Sequence, residues 1–301
     1  MNDDNIALVL EGGGLRGQFT AGVLDVLQER GLGDAFSCVL GTSAGAINGA
    51  NFRSRQIGRM MRDTLAYRDD KRFMSLYALA KTGSIAGNDF LYHEVQEVLD
   101  PFDWDAYNAR RLPLWAVATD IVFGVPAYLE IGRLPDDMDK IRASASLPVV
   151  SEVVQVDGHL YLDGGTMDAV PVEAALGLEG APRIEGHEPA SRAFVVLTRE
   201  HGYAKEGPYE LMALAEARYR EYPFYLEALR TRPERYNPQR ETIRELEREG
   251  RAFVVEPPEP IDIAATERSG DKLLGAYVLG RQEMTRRLDE ARGFLGSRDA
   301  S

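Results

Sequence analysis

Residues 36–45 read Phe-Ser-Cys-Val-Leu-Gly-Thr-Ser-Ala-Gly, a short apolar run followed by a loop with a glycine at each end. The run is typical of a strand buried on both faces, and a helical pattern begins at Ala44. The loop matches G-x-S-x-G, the sharp strand-to-helix turn that exposes a nucleophilic serine. Gly41 and Gly45 supply the space that this turn needs, and the N–H groups at the helix start favour developing negative charge. The stretch therefore predicts Ser43 as a nucleophile in an α/β fold.

A second glycine-rich loop lies earlier in the chain, where residues 11–17 read Glu-Gly-Gly-Gly-Leu-Arg-Gly between a predicted strand and a predicted helix. Its spacing matches the dinucleotide fingerprint G-x-G-x-x-G, which also requires an acidic residue about 20 positions later, at the end of the next strand. That strand instead runs into Gly41, and Asp34 lies before it. The dinucleotide interpretation therefore ranks last.

The same loop suits an oxyanion, because consecutive glycines can turn several backbone N–H groups inward. Parallel neighbouring strands would bring both loops to one edge of the sheet. We therefore expect an oxyanion hole that contains Gly12, Gly13, Gly14 and the backbone N–H of Ala44. Arg16 would add a fixed positive charge there, or alternatively form a structural ion pair with Glu11.

A serine hydroxyl needs a base, and four histidines are candidates for that role. His93 lies in a helical pattern and His187 in a solvated loop, while His159 is too far from Asp163 along an extended strand. His201 follows a predicted strand and stays an alternative. Asp163, followed by two glycines, is the better candidate, because burial beside an apolar pocket would raise its pKa. Asp-Gly-Gly alone is equally compatible with a simple turn.

The composition is that of an ordinary globular protein, with 301 residues of which 44% are hydrophobic and 28% charged. The 35 basic and 48 acidic residues give a formal net charge of −13, which argues against general nucleic-acid binding. The one cysteine, Cys38, excludes an intramolecular disulfide and a Cys-based zinc cluster. The sequence shows no secretory signal and no membrane-spanning run, which predicts a cytoplasmic protein and leaves peripheral membrane contact open.

Short apolar runs alternate with longer helical patterns, which predicts a mostly parallel sheet with helices on both faces. The runs are residues 6–10, 36–40, 114–118, 193–197 and 252–255. The helical patterns cover residues 18–30, 44–68, 90–99, 137–145, 168–176 and 208–230. Residues 153–162, with Asp157-Gly158 at the centre, predict an antiparallel hairpin.

The C-terminal part is helical and rich in charge between residues 206 and 250, with Pro223 and Pro233 as predicted breaks. The strand at 252–255 and a helix at 271–292 follow. Because this strand suits the same sheet, we expect one domain over residues 1–301. It would comprise a catalytic core at 1–205 and a C-terminal helical cap at 206–301 that contributes one strand.

Together and in order, these motifs resemble those of the patatin-like phospholipases, and most closely the bacterial single-domain proteins of that family. The motifs are Glu-Gly-Gly-Gly-Leu-Arg-Gly (11–17), Gly-Thr-Ser-Ala-Gly (41–45) and Asp-Gly-Gly (163–165). The resemblance continues through Arg-Ala-Ser-Ala-Ser-Leu-Pro (142–148), Tyr-Leu-Asp-Gly-Gly (161–165), Arg-Tyr-Asn (235–237) and residues 243–250. It covers nearly the whole chain, although Glu11 stands where the wider family often has aspartate.

The resemblance implies a three-layer α/β/α fold and hydrolysis of lipid acyl esters, with no cofactor, no metal and no catalytic histidine. Ser43 then matches the nucleophile and Asp163 its base, in a dyad that forms an acyl-enzyme. The residues that match the oxyanion loop are Gly12, Gly13, Gly14 and Arg16. Two alternatives stay open. An acyl-enzyme could pass its acyl group to an alcohol other than water, and the fold could serve lipid sensing without catalysis, which the intact motifs argue against.

The segment from Arg53 to Lys81 holds eight basic and three acidic residues, interspersed with apolar ones such as Met60, Phe73 and Tyr77. A basic, apolar-studded segment suits docking on an anionic membrane surface. It equally suits a solvated helical face with ordinary core, or a dimer contact.

Overall fold

One mixed sheet of eight strands organises the computed structural model, which describes residues 5–296. The strands are β1 (Ile6–Leu10), β2 (Cys38–Thr42), β3 (Leu114–Asp120), β4 (Val125–Glu130), β5 (Val154–Val156), β6 (His159–Asp163), β7 (Arg192–Val196) and β8 (Ala252–Val255). Their order is β5-β6-β3-β2-β1-β7-β8, and β4 pairs with β3. The five strands β3, β2, β1, β7 and β8 run parallel, whereas β4 and β6 are antiparallel to β3. The predicted mostly parallel sheet is confirmed.

Twelve α-helices and one π-helix flank the sheet in the described part of the chain. The α-helices are α1 (Gly17–Glu29), α2 (Ala44–Arg53), α3 (Arg59–Tyr67), α4 (Leu76–Thr82), α5 (Trp104–Ala109), α6 (Met138–Ser144), α7 (Val172–Leu176), α8 (Met212–Arg218), α9 (Pro223–Arg230), α10 (Arg232–Arg248), α11 (Gly270–Arg286) and α12 (Leu288–Leu295). The π-helix, Phe90–Leu99, lies between α4 and α5.

Strand β1 is apolar on both faces because helices cover both sides of the sheet. Ile6, Leu8 and Leu10 pack with side chains of α1, α2 and α11. Ala7 and Val9 point the other way and pack with α7 and α10. The C-terminal helices α10 and α11 therefore contribute to opposite layers, and the three-layer arrangement is confirmed.

Two strands end against the same edge of β3. Strand β4 occupies one edge along residues 115–120. On the other edge, β2 pairs with residues 114–117 and β6 with residues 118–120. Thr42 therefore faces Val117, and Asp163 faces the next residue, Ala118. This register brings the end of β2 and the end of β6 together at one point.

Several predicted helices have different bounds in the structure. The pattern at 44–68 divides into α2 and α3, because Arg55 and Gly58 adopt left-handed conformations between them. The pattern at 168–176 becomes helical only after Pro171, and residues 90–99 form a π-helix. The pattern at 208–230 yields α8 and α9, with the break before Pro223 as predicted.

The second predicted break is confirmed, because α9 ends at Arg230 and α10 begins at Arg232. Pro233 lies in the first turn of α10, where a missing N–H is tolerated. The helix predicted at 271–292 is two helices, α11 and α12, which meet at Arg287. The hairpin at 153–162 is confirmed, because β5 and β6 pair around Asp157-Gly158. Strand β4 and helices α4 and α5 were not predicted.

Helices α1 and α11 cross closely at two glycines. A Cβ on Gly22 would lie 2.1 Å from the carbonyl oxygen of Tyr277, and one on Gly280 would lie 2.1 Å from that of Phe19. Gly275 lies on the same helix as Gly280 but has open space around its Cβ position.

We expect Gly280→Ala to lower the free energy of unfolding by about 1–3 kcal/mol, because the added methyl group overpacks the crossing. Gly275→Ala is the matched control and should raise the free energy of unfolding by about 0.5–1 kcal/mol, since alanine favours a helix over glycine. Urea denaturation measures both. Equal effects of the two substitutions would contradict a close crossing at Gly280.

Candidate active site

Ser43 occupies the turn between β2 and α2 in a strained backbone conformation. Its φ of 57° and ψ of −121° lie in a region that residues with a Cβ avoid. A Cβ on Gly41 would lie 2.5 Å from the carbonyl carbon of Gly45, and one on Gly45 would lie 2.4 Å from the carbonyl oxygen of Leu10. The glycines at both ends of the loop are therefore needed for the turn, which has the geometry of a nucleophile elbow.

A second serine, Ser144 at the end of α6, links the elbow to β3 through two hydrogen bonds. The Ser43 N–H donates a hydrogen bond to Ser144 Oγ at 2.8 Å. The Ser144 hydroxyl donates in turn to the carbonyl oxygen of Val117 on β3 at 2.6 Å. Sequence reasoning did not assign this residue a role. Its only signal was membership of the Arg-Ala-Ser-Ala-Ser-Leu-Pro segment at 142–148.

Asp163 is buried at the end of β6 and lines the same cavity as Ser43. Its Oδ1 accepts a hydrogen bond from the Gly165 N–H at 2.7 Å. Its Oδ2 has no hydrogen-bond partner of ordinary geometry within residues 5–296. Burial raises the pKa of the Asp163 carboxyl, and the Ser43 hydroxyl is the largest influence that lowers it again. The two side chains are thus close enough to interact, while one carboxylate oxygen stays free to accept a proton.

The glycine-rich loop lies beside Ser43 and presents backbone donors. The N–H groups of Gly13 and Gly14 make no backbone hydrogen bond in the part of the chain that the structure describes. Ala44 is the first residue of α2, so its N–H has no partner within the helix. The Gly12 N–H, in contrast, donates to the carbonyl oxygen of Ala169 at 3.3 Å. The unengaged donors nearest the elbow are therefore those of Gly13, Gly14 and Ala44.

Glu11 anchors this loop from behind. Its Oε1 accepts a hydrogen bond from the Tyr236 hydroxyl at 2.7 Å, and its Oε2 accepts one from the Thr198 N–H at 2.5 Å. Within the described residues Glu11 forms no ion pair with Arg16, so this alternative for Arg16 does not hold. The link to Tyr236 was not predicted, because nothing in the local sequence marks a residue 225 positions away as a partner.

Two cavities of different character meet at Ser43. The first, of about 130 Å³, is mainly apolar and is lined by Ile47, Phe73, Met74, Ile85, Leu91 and Val95. The second, of about 370 Å³, contains Asp163, the glycine-rich loop and several charged side chains. Ser43, Gly14 and Leu147 line both cavities. A bound ester could therefore place an apolar chain on one side of the serine and a polar group on the other.

The histidines lie away from this site. His201 is exposed and its Nδ1 lies 3.1 Å from Glu256, and His159 Nδ1 lies 2.9 Å from Asp120. All four histidines belong to the described residues, and none lines either cavity at Ser43. Between residues 5 and 296, no group of three or more His, Cys, Asp or Glu is arranged to hold a metal ion.

Two family models match the chain. A model described as patatin-like phospholipase matches residues 8–176, more than half of the sequence. A domain of unknown function, DUF6363, matches residues 222–296. Residues 177–221, which contain β7 and α8, lie between the two matches.

Curated relatives match between 56% and 67% of the chain. The uncharacterized protein YjjU of Escherichia coli K12 is 34% identical over 176 residues, which is 56% of this chain and 48% of that protein. An uncharacterized NTE family protein of Mycobacterium tuberculosis is 30% identical over 58% of this chain and 46% of its own length. The rat patatin-like phospholipase domain-containing protein 7 is 30% identical over 67% of this chain and 15% of its own length. The chain thus spans about half the length of the bacterial relatives.

Two solved structures align with most of the chain at low sequence identity. VipD from Legionella pneumophila is 14% identical with a TM-score of 0.49, over 95% of this chain and 67% of that one. The type III effector protein ExoU is 12% identical with a TM-score of 0.33, over 96% of this chain and 56% of that one.

We expect Ser144→Ala to lower the free energy of unfolding by about 1–3 kcal/mol, because the buried Ser43 N–H loses its acceptor. Ser146→Ala is the matched control. Between residues 5 and 296, the Ser146 hydroxyl bonds only to the carbonyl oxygen of Arg142, one helical turn back, and its removal should cost about 0.5 kcal/mol or less. Thermal and urea unfolding compare the two variants. An equal loss in both would show that the elbow does not depend on Ser144.

Proposed function

The chain belongs to the patatin-like phospholipase family, and we propose that it is a serine lipid acyl hydrolase with Ser43 as nucleophile and Asp163 as base. The arrangement of groups around Ser43, where the two cavities meet, is the observation that carries this proposal. The serine lies on a strained elbow beside a buried carboxylate, unengaged N–H donors and an apolar cavity. Lipid acyl esters fit such a site, because the apolar cavity would hold an acyl chain while its carbonyl lies at the serine.

The mechanism follows from these positions. Asp163 accepts the proton of the Ser43 hydroxyl while the serine oxygen attacks the acyl carbonyl. The N–H groups of Gly13, Gly14 and Ala44 hold the oxyanion of the tetrahedral intermediate. The alcohol leaves with the proton that Asp163 carried, and an acyl-enzyme remains. Water then gives a proton to the same carboxylate and attacks the acyl-enzyme. Asp163 returns this proton to the Ser43 oxygen as the fatty acid leaves, which restores the free serine.

Gly12 has a positioning role in this scheme. Its N–H bonds to Ala169 and its carbonyl oxygen accepts a hydrogen bond from the Thr198 hydroxyl at 2.9 Å. Both bonds hold the loop in place beside the elbow. Arg16 supplies positive charge close to the reacting carbonyl, as one of the residues that line the polar cavity.

We expect Ser43→Ala to abolish hydrolysis of p-nitrophenyl acyl esters, and Asp163→Asn to lower kcat by about 10²–10⁴-fold, because the base is lost. His201→Ala is the control. It removes an exposed imidazole outside both cavities and should keep most of the activity. A chain-length series of esters is measured for all variants, each checked for folding by circular dichroism. Loss of activity in a folded His201→Ala variant would contradict the dyad.

Few of the basic residues in the segment from Arg53 to Lys81 are available to contact a membrane. Six of the eight basic residues are buried or paired with carboxylates, namely Arg53, Arg55, Arg59, Arg62, Arg68 and Arg72. Lys71 and Lys81 are exposed and form no ion pair in the described part of the chain. Lys71 precedes α4 and Lys81 lies in its last turn. Leu76 at the start of α4 is 74% exposed, and the neighbouring Phe73 and Met74 line the apolar cavity.

We therefore propose that Lys71, Leu76 and Lys81 contact an anionic lipid surface at the rim of the apolar cavity. No helix among residues 5–296 is long and apolar enough to cross a membrane.

Lys71→Glu and Lys81→Glu, each made separately, should weaken binding to anionic vesicles by about ten-fold, because attraction of about 1 kcal/mol per charge becomes repulsion. Arg111→Glu changes an exposed cation elsewhere and is the control. Vesicle flotation measures binding, and hydrolysis of a soluble ester serves as the reference. An equal loss of binding in the control would show that only net charge matters.

A further inference from the structure

Four cations line the polar cavity beside the dyad, namely Arg16, Arg199, Lys205 and Arg232. None of them forms an ion pair with a carboxylate within 4.0 Å in the described part of the chain. Buried Nε atoms of Arg16 and Arg232 have no hydrogen-bond acceptor there. All four side chains are partly buried. Positive charges that are partly removed from water and have no partner are unfavourable, so a cluster of them suggests that an anion completes the site.

The cations are held in place by aromatic rings instead of by carboxylates. Each of three stands over a tyrosine, with Arg199 4.3 Å from the Tyr203 ring centre, Lys205 3.9 Å from that of Tyr236 and Arg232 5.4 Å from that of Tyr209. Cation–π contacts fix a charged group without neutralising it. The positive charge of the cavity therefore stays available to a ligand.

The carboxylates of the same cavity do not cancel this charge. Both oxygens of Glu11 accept hydrogen bonds from Tyr236 and Thr198. Asp163 is the base proposed above. Glu206 and Glu210 also line the cavity, but both are exposed and neither pairs with a cation in the described chain.

The pKa of Lys205 reflects the repulsion between these neighbouring cations. Burial and the neighbouring Arg232 lower the pKa of its ammonium group to about 7. Burial likewise lowers the pKa of Arg16, with Arg199 as the next cause. An anion between these groups would relieve their mutual repulsion.

We propose that this cavity binds a phosphate-class anionic group on the alcohol side of the scissile ester, with Arg199, Lys205 and Arg232 as its ligands. The preferred substrate is then an acyl ester whose alcohol carries a phosphate, such as a glycerophosphate lipid. Guanidinium groups suit this role because their planar N–H fork matches two phosphate oxygens.

The assignment to the alcohol side follows from the two cavities. Both contain Ser43, and only the first is mainly apolar. An acyl chain in the apolar cavity places the ester carbonyl at Ser43 and directs the alcohol into the cationic cavity. This step depends on the proposed hydrolase function, whereas binding of the anion does not.

The first experiment measures binding of sn-glycerol 3-phosphate by calorimetry, with glycerol and inorganic phosphate as comparisons. We expect saturable binding of glycerol phosphate and none of glycerol. Arg232→Gln and Lys205→Gln should each raise Kd by about ten-fold or more, which corresponds to loss of one charge-assisted contact. Arg220→Gln removes an exposed cation outside the cavity and should leave Kd unchanged. Absence of saturable binding of both phosphates by the folded wild-type protein would overturn the proposal.

The second experiment compares kcat/KM for octanoyl glycerol 3-phosphate and octanoyl glycerol. We expect a ratio of about ten or more for the wild type, which falls towards one in Arg232→Gln and Lys205→Gln but not in Arg220→Gln. A ratio near one in the wild type would overturn the substrate assignment, even if the first experiment shows binding of phosphate. The cavity would then bind a free anion and not the phosphate of the substrate. Binding of glycerol phosphate without hydrolysis of either ester would uphold the anion site and reject the hydrolase function.

Discussion

The candidate active site depends on two strands that share one edge of β3. Strand β4 covers the other edge, so β2 and β6 must share this one. Strand β2 stops with Thr42 opposite Val117, and β6 stops with Asp163 opposite the next residue, Ala118. Residues 120 positions apart in the sequence thereby become neighbours on a rigid frame. The sheet register therefore already places Ser43 near Asp163. The local orientation of the site is then fixed by the elbow glycines, the hydrogen bonds of Ser144 and the glycine-rich loop.

The elbow and the core of the sheet could be predicted because their determinants are local. Apolar runs bounded by glycine mark the parallel strands, and G-x-S-x-G marks a turn that tolerates little else. The break between α2 and α3 could not be predicted from periodicity, since Arg55 and Gly58 leave the helix while the apolar spacing continues. Ser144 and Tyr236 were missed for a different reason. Both act through contacts with distant residues, and a hydroxyl has no pattern of its own in a sequence.

The location of unpaired charge likewise could not be predicted from the sequence. The net charge of −13 describes the molecule as a whole, and the count of basic residues between 53 and 81 left a membrane-docking surface, a solvated helical face and a dimer contact all open. The structure places most of those arginines in ion pairs or in the interior, as with Arg53, which donates to the carbonyl oxygens of Tyr107 and Ile131. A cluster of four cations without ion pairs in the described part of the chain lies instead in the cavity beside Asp163, supplied by residues on three separate segments. Composition predicts total charge, whereas folding decides where charge remains unneutralised.

The bond between Glu11 and Tyr236 joins two parts of the chain that separate family models describe. A glutamate side chain is one methylene longer than an aspartate, so the partner that fits it must lie correspondingly farther from the loop. Shortening the side chain at position 11 would therefore break this link between the glycine-rich loop and α10.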